Sequence, residues 1–147
     1  MFCPFFLQNP DIRDLMDKCG HYGSDGDIDG VQQMIHKFGA EEVVNARYWH
    51  QKTCLHYAAE YGLPNIITLL VENGANLDPK DDYGETSLRL AIRWREYSSI
   101  TTLIQLGADL EKAKESNFDQ TEFDHSMSDR RTKAAIVEGQ KLAGEQR

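Results

Sequence analysis

The chain has 147 residues, a formal net charge of -8 at neutral pH and 40% hydrophobic residues. Its length suits one domain over residues 1–147 that buries roughly two-thirds of the surface of the unfolded chain. The acidic charge argues against a nucleic-acid ligand, because phosphate binding needs clustered Lys and Arg, and the lack of a long apolar run argues against a membrane span.

The amino-terminal segment, residues 1–10, has no positively charged start and no small-residue cleavage pattern, so we predict no signal peptide. Its phenylalanines either cover the first helical pair or form an exposed anchor for a partner. Covering is favoured, because the end of a stacked array needs a cap. Three scattered cysteines, Cys3, Cys19 and Cys54, indicate buried thiols in a reducing, cytoplasmic setting rather than a disulfide framework.

A first helical pair is predicted over residues 10–45. Asn9 and Pro10 suit the start of its first helix. Apolar residues recur at helical spacing in both helices: Ile12, Leu15, Met16 and Cys19, then Ile28, Val31, Ile35 and Phe38. Residues 40–47 are expected to form a connection to the next pair.

The loop inside this pair contains a partial calcium motif. Asp25, Asp27 and Asp29, followed by Gly30, match the first half of a calcium-binding loop, but the twelfth position holds His36 where a bidentate Glu is needed. We therefore interpret the aspartates as charges that favour the start of a helix. Weak binding of a divalent ion is the alternative.

The middle of the chain repeats itself. The run that begins at Thr53 and ends at Leu77 returns from Thr86 to Leu110. A fixed period of about 33 residues indicates stacked helical pairs, each covering apolar surface on its neighbour. Thr53 suits a helix start, and Gly62 suits the turn that ends the helix in a left-handed conformation.

These residues carry a resemblance to a known family. Residues 46–113 resemble two ankyrin repeats, since Thr53-Cys54-Leu55-His56 and Gly84-Glu85-Thr86-Ser87-Leu88 correspond to the family's Gly-x-Thr-Pro-Leu-His. The resemblance implies an all-α solenoid of about four helix-turn-helix repeats whose outer two are degenerate caps. The expected repeats span residues 10–45, 46–80, 81–113 and, as a capping repeat, 114–143.

Departures from the family pattern lead to further expectations. The resemblance implies a structural His56, bonded near Thr53, whereas the next repeat has Arg89 at this position. Arg95 stands where the earlier repeat has Gly62, so we expect a distorted turn there.

The last repeat is the most irregular one. It is expected to start at Gln120–His125, slightly later than the repeat period counted from Thr86 would place it. Ser128 is expected to cap the final helix, and residues 141–147 are expected to fray.

No pattern in the chain marks a chemical site. Catalysis by a nucleophile needs a base and an oxyanion donor nearby, and the sequence singles out no such set. Cys54 and His56 fall short of a four-ligand zinc site, and no glycine-rich segment has the lysine of a phosphate loop. We expect no enzyme activity, no resident metal and no cofactor.

The resemblance implies that partner contacts come from the hairpin tips and the first helix of each pair, on a concave surface. The side chains expected there are Trp49, His50, Lys52, Glu60 and Tyr61 in the second repeat and Asp82, Tyr83, Glu85, Arg93 and Trp94 in the third, with Arg89 as a partial addition. Trp, Tyr and Arg dominate binding hot spots. The alternative is that either tryptophan packs locally over its own turn.

These observations predict a small, stand-alone and monomeric protein that binds another protein with a basic surface. Its activity would be to inhibit or sequester one dedicated partner by occlusion, since a rigid scaffold loses little entropy on docking. One alternative is an adaptor that recruits a client into a larger complex. A second alternative is a weak calcium-responsive protein.

Overall fold

The computed structural model describes residues 9–20, 26–116 and 118–146. Regular structure in these ranges is helical, without strands. The helices are α1 (Asn9–Lys18), α2 (Ile28–Phe38), α3 (Ala40–Asn45), a 3-10 turn (Trp49–Gln51), α4 (Cys54–Glu60), α5 (Pro64–Glu72), α6 (Ser87–Arg93), α7 (Tyr97–Gln105), α8 (Leu110–Lys114), α9 (Gln120–Ser128) and α10 (Arg130–Glu145).

Four helical pairs stack side by side: α1 with α2, α4 with α5, α6 with α7, and α9 with α10. The first helices contact one another from α4 to α6 to α9, and the second helices do so from α5 to α7 to α10. Buried apolar residues of all four pairs form one continuous core. This arrangement confirms the predicted all-α solenoid, in which each pair covers apolar surface of the next.

The starts of the first helices keep the repeat period through the fourth pair. Thr53 forms a capping box with His56, and the Thr86 hydroxyl accepts a hydrogen bond from the Arg89 N–H at 3.2 Å. Asp119, one repeat period after Thr86, caps α9. The expected later start of the fourth repeat is therefore wrong, because an aspartate replaces the threonine of the motif and caps equally well.

The carboxyl-terminal helix also differs from expectation at both ends. The carboxylate of Asp129 caps α10 by accepting hydrogen bonds from the N–H groups of Arg131 and Thr132, both at 3.0 Å. Ser128, the predicted cap, instead ends α9 and donates to the Asp124 carbonyl. The helix then continues to Glu145 through most of the segment that was expected to fray.

Two short helices lie where the sequence predicts no helix. α3 occupies the segment expected to be a connection, and α8 follows the third pair. Asp109 caps α8 by accepting hydrogen bonds from the Glu111 and Lys112 N–H groups at 2.9 and 3.3 Å. Helices this short cannot show an apolar period, which explains why both were missed.

The turn inside the third pair has the geometry of the second pair, so the predicted distortion is wrong. Gly62 has a φ of 71°, and Arg95, at the equivalent position, has a φ of 59°. The N–H of Leu63 donates to Ala58 and that of Glu96 to Ala91, both at 2.9 Å. A left-handed arginine costs roughly 1–2 kcal/mol, which the packing of the pair offsets.

The first pair buries a slightly different stripe from the predicted one. Val31 and Met34 are buried in α2, whereas Ile28 at its start is exposed. Cys19 and Cys54 are buried as free thiols. Some predictions fall outside the described residues: those on the amino-terminal phenylalanines, Cys3 and Asp25. Within the described ranges, no helix is both long and apolar enough to cross a membrane.

His56 ties the second pair to the hairpin of the third, which confirms its structural role. The N–H of Thr53 donates to Nδ1 at 3.1 Å, so Nε2 carries the ring proton and donates to the Glu85 carbonyl at 3.1 Å. The ring is fully buried. Both nitrogens of the neutral imidazole therefore have a partner, and a second ring proton, on Nδ1, would face the N–H of Thr53.

His56 should make the protein sensitive to acid. Burial lowers the pKa of His56 to about 4, against about 6.5 in the unfolded chain. The unfolded state then binds the proton first, so stability is present above about pH 6.5 and is lost as pH falls towards about 4, by about 3 kcal/mol in total. Urea unfolding at pH 7 and 4.5 should show about 2–3 kcal/mol of this loss.

The control for this prediction is His56→Gln, which removes the titrating ring. This variant should be less stable than the wild type at pH 7 but should lose less on acidification. An equal loss between pH 7 and 4.5 in both proteins would show that other groups cause the acid sensitivity.

Candidate protein-binding surface

Exposed aromatic side chains at the hairpin tips form a continuous row. Ring centroids are 6.3 Å apart between Trp49 and His50, 5.0 Å between His50 and Tyr83, and 4.5 Å between Tyr83 and Phe118. These spacings suit favourable aromatic contacts. The Tyr83 hydroxyl also lies 3.2 Å from the Nδ1 of His50. We call these four residues the aromatic row.

The backbone at the start of the row is strained. His50 and Gln51 both have left-handed φ angles, of 56° and 58°. In the third pair the position of Gln51 is held by Gly84, which adopts this conformation without steric cost. A non-glycine residue in the left-handed backbone conformation costs of the order of 1–2 kcal/mol, and such residues often occur at functional sites. Trp49, directly before these two residues, lies at the tip with 65% of its surface exposed.

Neighbouring tips are joined by hydrogen bonds, which fix the spacing of the row. The N–H of Asp82 donates to the His50 carbonyl at 2.8 Å. The hydroxyl of Ser116 donates to the Tyr83 carbonyl at 2.9 Å and accepts from the Phe118 N–H at 3.2 Å. The row is therefore supported by the backbone of three successive hairpins.

Trp94 lies beside the row, at the end of α6, with 53% of its surface exposed. The guanidinium carbon of Arg93 is 5.5 Å from the centroid of the Trp94 ring and 5.6 Å from that of Phe118. Arg93 thus connects Trp94 to the row through two cation–π contacts. Since Trp49 and Trp94 both keep more than half of their surface exposed, neither indole is sealed over its own turn.

The residues predicted in α6 and before it are less accessible than expected. Glu85 is only 1% exposed and Arg89 is fully buried, so neither can contact a partner in this conformation. Arg89 Nε donates to Glu85 at 3.2 Å, and Arg93 Nη1 lies 2.9 and 3.0 Å from the two carboxylate oxygens. Burial raises the pKa of Glu85, against the opposing effect of the two arginines. The sequence cannot distinguish such a buried ion cluster from surface charges.

The same ion pair recurs with reversed charge in the second pair. Lys52 Nζ lies 2.6 Å from the Glu60 carboxylate, and both side chains are largely buried. Lys52 occupies the position of Glu85 one repeat earlier, and Glu60 likewise occupies that of Arg93. Lys52 and Glu60, both predicted as contact residues, therefore bind each other, as Glu85 and Arg93 do in the third pair. Each ion pair supports the first helix of its own helical pair. Tyr61, at the position equivalent to Trp94, is exposed, to nearly the same fraction as Tyr83.

The structure brings together part of the predicted set. Trp49, His50 and Tyr83 belong to the row, with Asp82 beside it and with Arg93 and Trp94 at its far end. Phe118 completes the row and was missed by the sequence analysis. The equivalent position holds the charged residues Lys52 and Glu85 in the two earlier repeats. No signal in the repeat pattern could have found it.

The partial calcium motif has a structural role where it is described. Asp27 caps α2 by accepting a hydrogen bond from the Gly30 N–H at 2.9 Å, and this bond lowers the pKa of Asp27. Asp29 is exposed in the first turn. Within the described ranges, no group of three His, Cys, Asp or Glu side chains is arranged to hold a metal ion.

Comparison with known proteins gives a match to a family model. The model is described as ankyrin repeats in three copies, and it covers residues 18–114. A chain in the solved complex of the predatory endopeptidase Bd0816 from Bdellovibrio bacteriovorus with the immunity protein Bd3460 has a similar fold. Its TM-score is 0.69 at 23% identity, over 88% of this chain and 64% of that one.

Curated relatives match over shorter segments. Serine/threonine-protein kinase 12 of Arabidopsis thaliana is 34% identical over 88 residues, which are 60% of this chain and 18% of the kinase. E3 ubiquitin-protein ligase hecd-1 of Caenorhabditis elegans is 46% identical over 39 residues, 26% of this chain and 2% of the ligase. The chain thus spans less than a fifth of these relatives.

Proposed function

Because this chain belongs to the ankyrin-repeat family, we propose that it binds another protein through the aromatic row and Trp94, and that this binding inhibits or sequesters the partner. Ankyrin repeats are modules for protein–protein interaction, and the family is typically non-enzymatic. The choice of contact surface and the effect on the partner go beyond what family membership shows, and they are what we propose.

The observation that carries the proposal is the unbroken run of exposed aromatic side chains across three hairpin tips. Aromatic residues give large contact area at a small entropic cost, and they are enriched at the centre of interfaces. An exposed apolar cluster of this kind is costly to keep in water unless a partner covers it. The hydrogen bonds between tips hold the rings in place before docking, which favours affinity.

We favour inhibition of the partner over recruitment of a client for two reasons. The similar fold occurs in a solved complex between an endopeptidase and an immunity protein, and a rigid, preformed surface is suited to blocking another protein's surface.

The net charge of -8 favours a partner with a basic surface, which would speed association at low salt. The buried free thiols favour a reducing, cytoplasmic setting.

Simultaneous replacement of Trp49 and Trp94 by alanine should abolish partner binding. Loss of two exposed aromatic anchors at about 2 kcal/mol or more each is about 4 kcal/mol in total, which corresponds to an affinity weaker by at least about 500-fold. The measurement is affinity capture with mass spectrometry, followed by calorimetry with the purified partner. A dedicated inhibitor should bind with 1:1 stoichiometry and associate more slowly as salt is added.

Val137→Ala is the matched control, since Val137 is 63% exposed but lies on α10, away from the row. It should leave binding unchanged. The thermal unfolding curves measured by circular dichroism should be nearly the same for the wild type, the double tryptophan variant and Val137→Ala. Unchanged affinity in the tryptophan variant, or loss of binding only together with loss of helix, would contradict the proposed surface.

The observation that supports the adaptor alternative is a cleft away from the aromatic row. This cleft of about 260 Å³ lies at the far end of α4 from the hairpin tip, and the exposed Ile28 lines it. An adaptor needs two separable surfaces. If Ile28→Asp removed one captured protein and the tryptophan variant removed another, recruitment would replace inhibition as the proposed function.

A further inference from the structure

A cleft of about 260 Å³ opens beside the aromatic row, between the third and fourth pairs. Its lining combines one indole ring with charged side chains: Arg93, Trp94, Asp119 and Glu122. The first two residues lie at the end of α6, and the other two lie at the cap and in the first turn of α9. The repeat pattern does not require the two acids, because the positions equivalent to Asp119 and Glu122 hold Thr86 and Arg89 in the third pair and Thr53 and His56 in the second.

The buried charges behind the cleft balance one another. Glu85 binds both Arg89 and Arg93, as described above. Asp81, which is also buried, accepts a hydrogen bond from the Glu85 N–H at 2.9 Å. The group formed by Asp81, Glu85, Arg89 and Arg93 thus contains two carboxylates and two guanidinium groups, of which Glu85 contacts both arginines. This buried cluster contributes little net charge to the cleft.

The two acids of the cleft are not balanced in this way. Asp119 and Glu122 are exposed, and neither carboxylate takes part in an ion pair among the described residues. The start of α9 contributes a partial positive charge of roughly half a unit, which offsets only part of two full negative charges. The cleft is therefore electronegative.

The indole of Trp94 adds a surface suited to a cation. A guanidinium group already lies 5.5 Å from its ring centroid, in the side chain of Arg93, and half of the ring remains exposed. Tryptophan is the best aromatic partner for cations. One flat apolar wall and two carboxylates together match the planar, positively charged end of an arginine side chain.

We propose that this cleft receives a basic side chain, arginine before lysine, from the partner protein, which rests on the proposed function of the aromatic row. An acidic side chain is disfavoured, because it would approach Asp119 and Glu122 while Arg93, the cation that lines the cleft, is held by both oxygens of Glu85. The cleft would thereby fix the orientation of a partner that the aromatic row binds.

The test is a titration of the ¹⁵N-labelled protein with N-acetyl-arginine amide, followed through the indole N–H signals of its two tryptophans. The signals are assigned with Trp49→Phe and Trp94→Phe. The Trp94 signal should shift in a saturable way with a millimolar dissociation constant, while the Trp49 signal stays in place. N-acetyl-lysine amide should bind more weakly, and N-acetyl-glutamine amide should give no saturable shift.

The charge requirement is tested with Asp119→Asn combined with Glu122→Gln. Asparagine caps a helix as well as aspartate does, so α9 should remain intact. The affinity for the arginine probe should fall at least about fivefold. The matched control is Glu138→Gln combined with Glu145→Gln, which removes the same charge from exposed positions on α10 and should change the affinity by less than about twofold.

The cleft assignment would be overturned by the absence of a saturable shift with arginine, by an equal shift with glutamine amide, or by an unchanged affinity in the double variant at Asp119 and Glu122. A saturable shift with N-acetyl-glutamate would do so as well, by making Arg93 the binding group. The titration needs no natural partner. If the tryptophan variant loses capture of the partner but arginine gives no shift, the proposed function stands and the cleft assignment fails. If arginine gives the shift but the tryptophan variant still captures the partner, the proposed function fails.

Discussion

Arg89→Ala is expected to lower the free energy of unfolding by about 3–5 kcal/mol, the range found when one partner of a buried ion pair is removed. Arg89 is fully buried. Its guanidinium donates to the carbonyls of Ala113 and Phe118 at 3.0 and 2.6 Å and to Glu85 at 3.2 Å, and it stacks 4.1 Å over the ring of Phe123. Since domains are stable by only about 5–15 kcal/mol, this loss is a large fraction of the total.

The loss of stability in Arg89→Ala should be large because the substitution leaves several buried polar groups without their hydrogen-bond donor. Glu85 would stay buried with Arg93 as its one remaining cationic partner among the described residues, and the Ala113 and Phe118 carbonyls would lose their buried donor. An unsatisfied buried polar group costs about 1–3 kcal/mol, and more if it is charged. The bond to the Phe118 carbonyl also anchors the end of the aromatic row, so partner binding should weaken together with stability.

Urea unfolding of a set of variants separates these effects. Arg89→Lys keeps the charge but loses the forked geometry, so it should fall between the wild type and Arg89→Ala. Arg130→Ala, at an exposed arginine, should change stability by no more than about 0.5 kcal/mol. In a double-mutant cycle, Glu85→Gln with Arg89→Met should destabilise less than the sum of the single changes. A loss below about 1 kcal/mol in Arg89→Ala would contradict a structural role.

The interaction made by Arg89 repeats that of His56 with different chemistry. His56 Nε2 reaches the Glu85 carbonyl 29 residues ahead, and Arg89 Nη2 reaches the Phe118 carbonyl, also 29 residues ahead. Both side chains join one pair to the hairpin of the next. An arginine at this position looks like a surface charge in the sequence, which is why the interpretation of Arg89 as a partial binding residue is wrong.

The repeat period predicted the stacked pairs, because helix starts and turns depend on local residues. Thr53, Thr86 and Gly62 each have one physical role that their residue type reveals. Where another residue type performs the same role, as Asp119 does at a cap and Arg95 at a left-handed turn, the pattern was misread. The fold tolerates these substitutions, since packing between pairs supplies most of the stability.

The exposed surface at the hairpin tips was less predictable, because exposure depends on neighbours that are distant in sequence. Equivalent positions gave the tips of the second and third pairs correctly, including Trp49 and Tyr83. They could not reveal that Glu85 is covered by two arginines, or that Phe118 extends the row. A periodic sequence specifies which positions can be exposed, while the packing of neighbouring pairs decides which of them are.

Gly139→Ala is expected to destabilise the protein by about 1–3 kcal/mol, the usual cost of adding a group to a filled interface. Gly139 lies in α10, which packs closely on α7. A Cβ atom at this position would lie 2.7 Å from the Cβ of Ile104 and 2.7 Å from the carbonyl oxygen of Thr101. Neither neighbour can move freely, because one is a β-branched side chain and the other is helical backbone. Relief would require α10 to shift away from α7.

Gly144→Ala gives the opposite expectation in the same helix. A Cβ atom there would have no neighbour within 4 Å, so the only effect is the better helix propensity of alanine, a gain of up to about 1 kcal/mol. Urea unfolding of both variants therefore compares the same substitution with and without a packing neighbour. Stabilisation by Gly139→Ala would mean that α10 lies farther from α7 than described. Because α10 packs on both α7 and α9, Gly139→Ala should also loosen α9, and hence the cleft at Asp119, before the central pairs unfold.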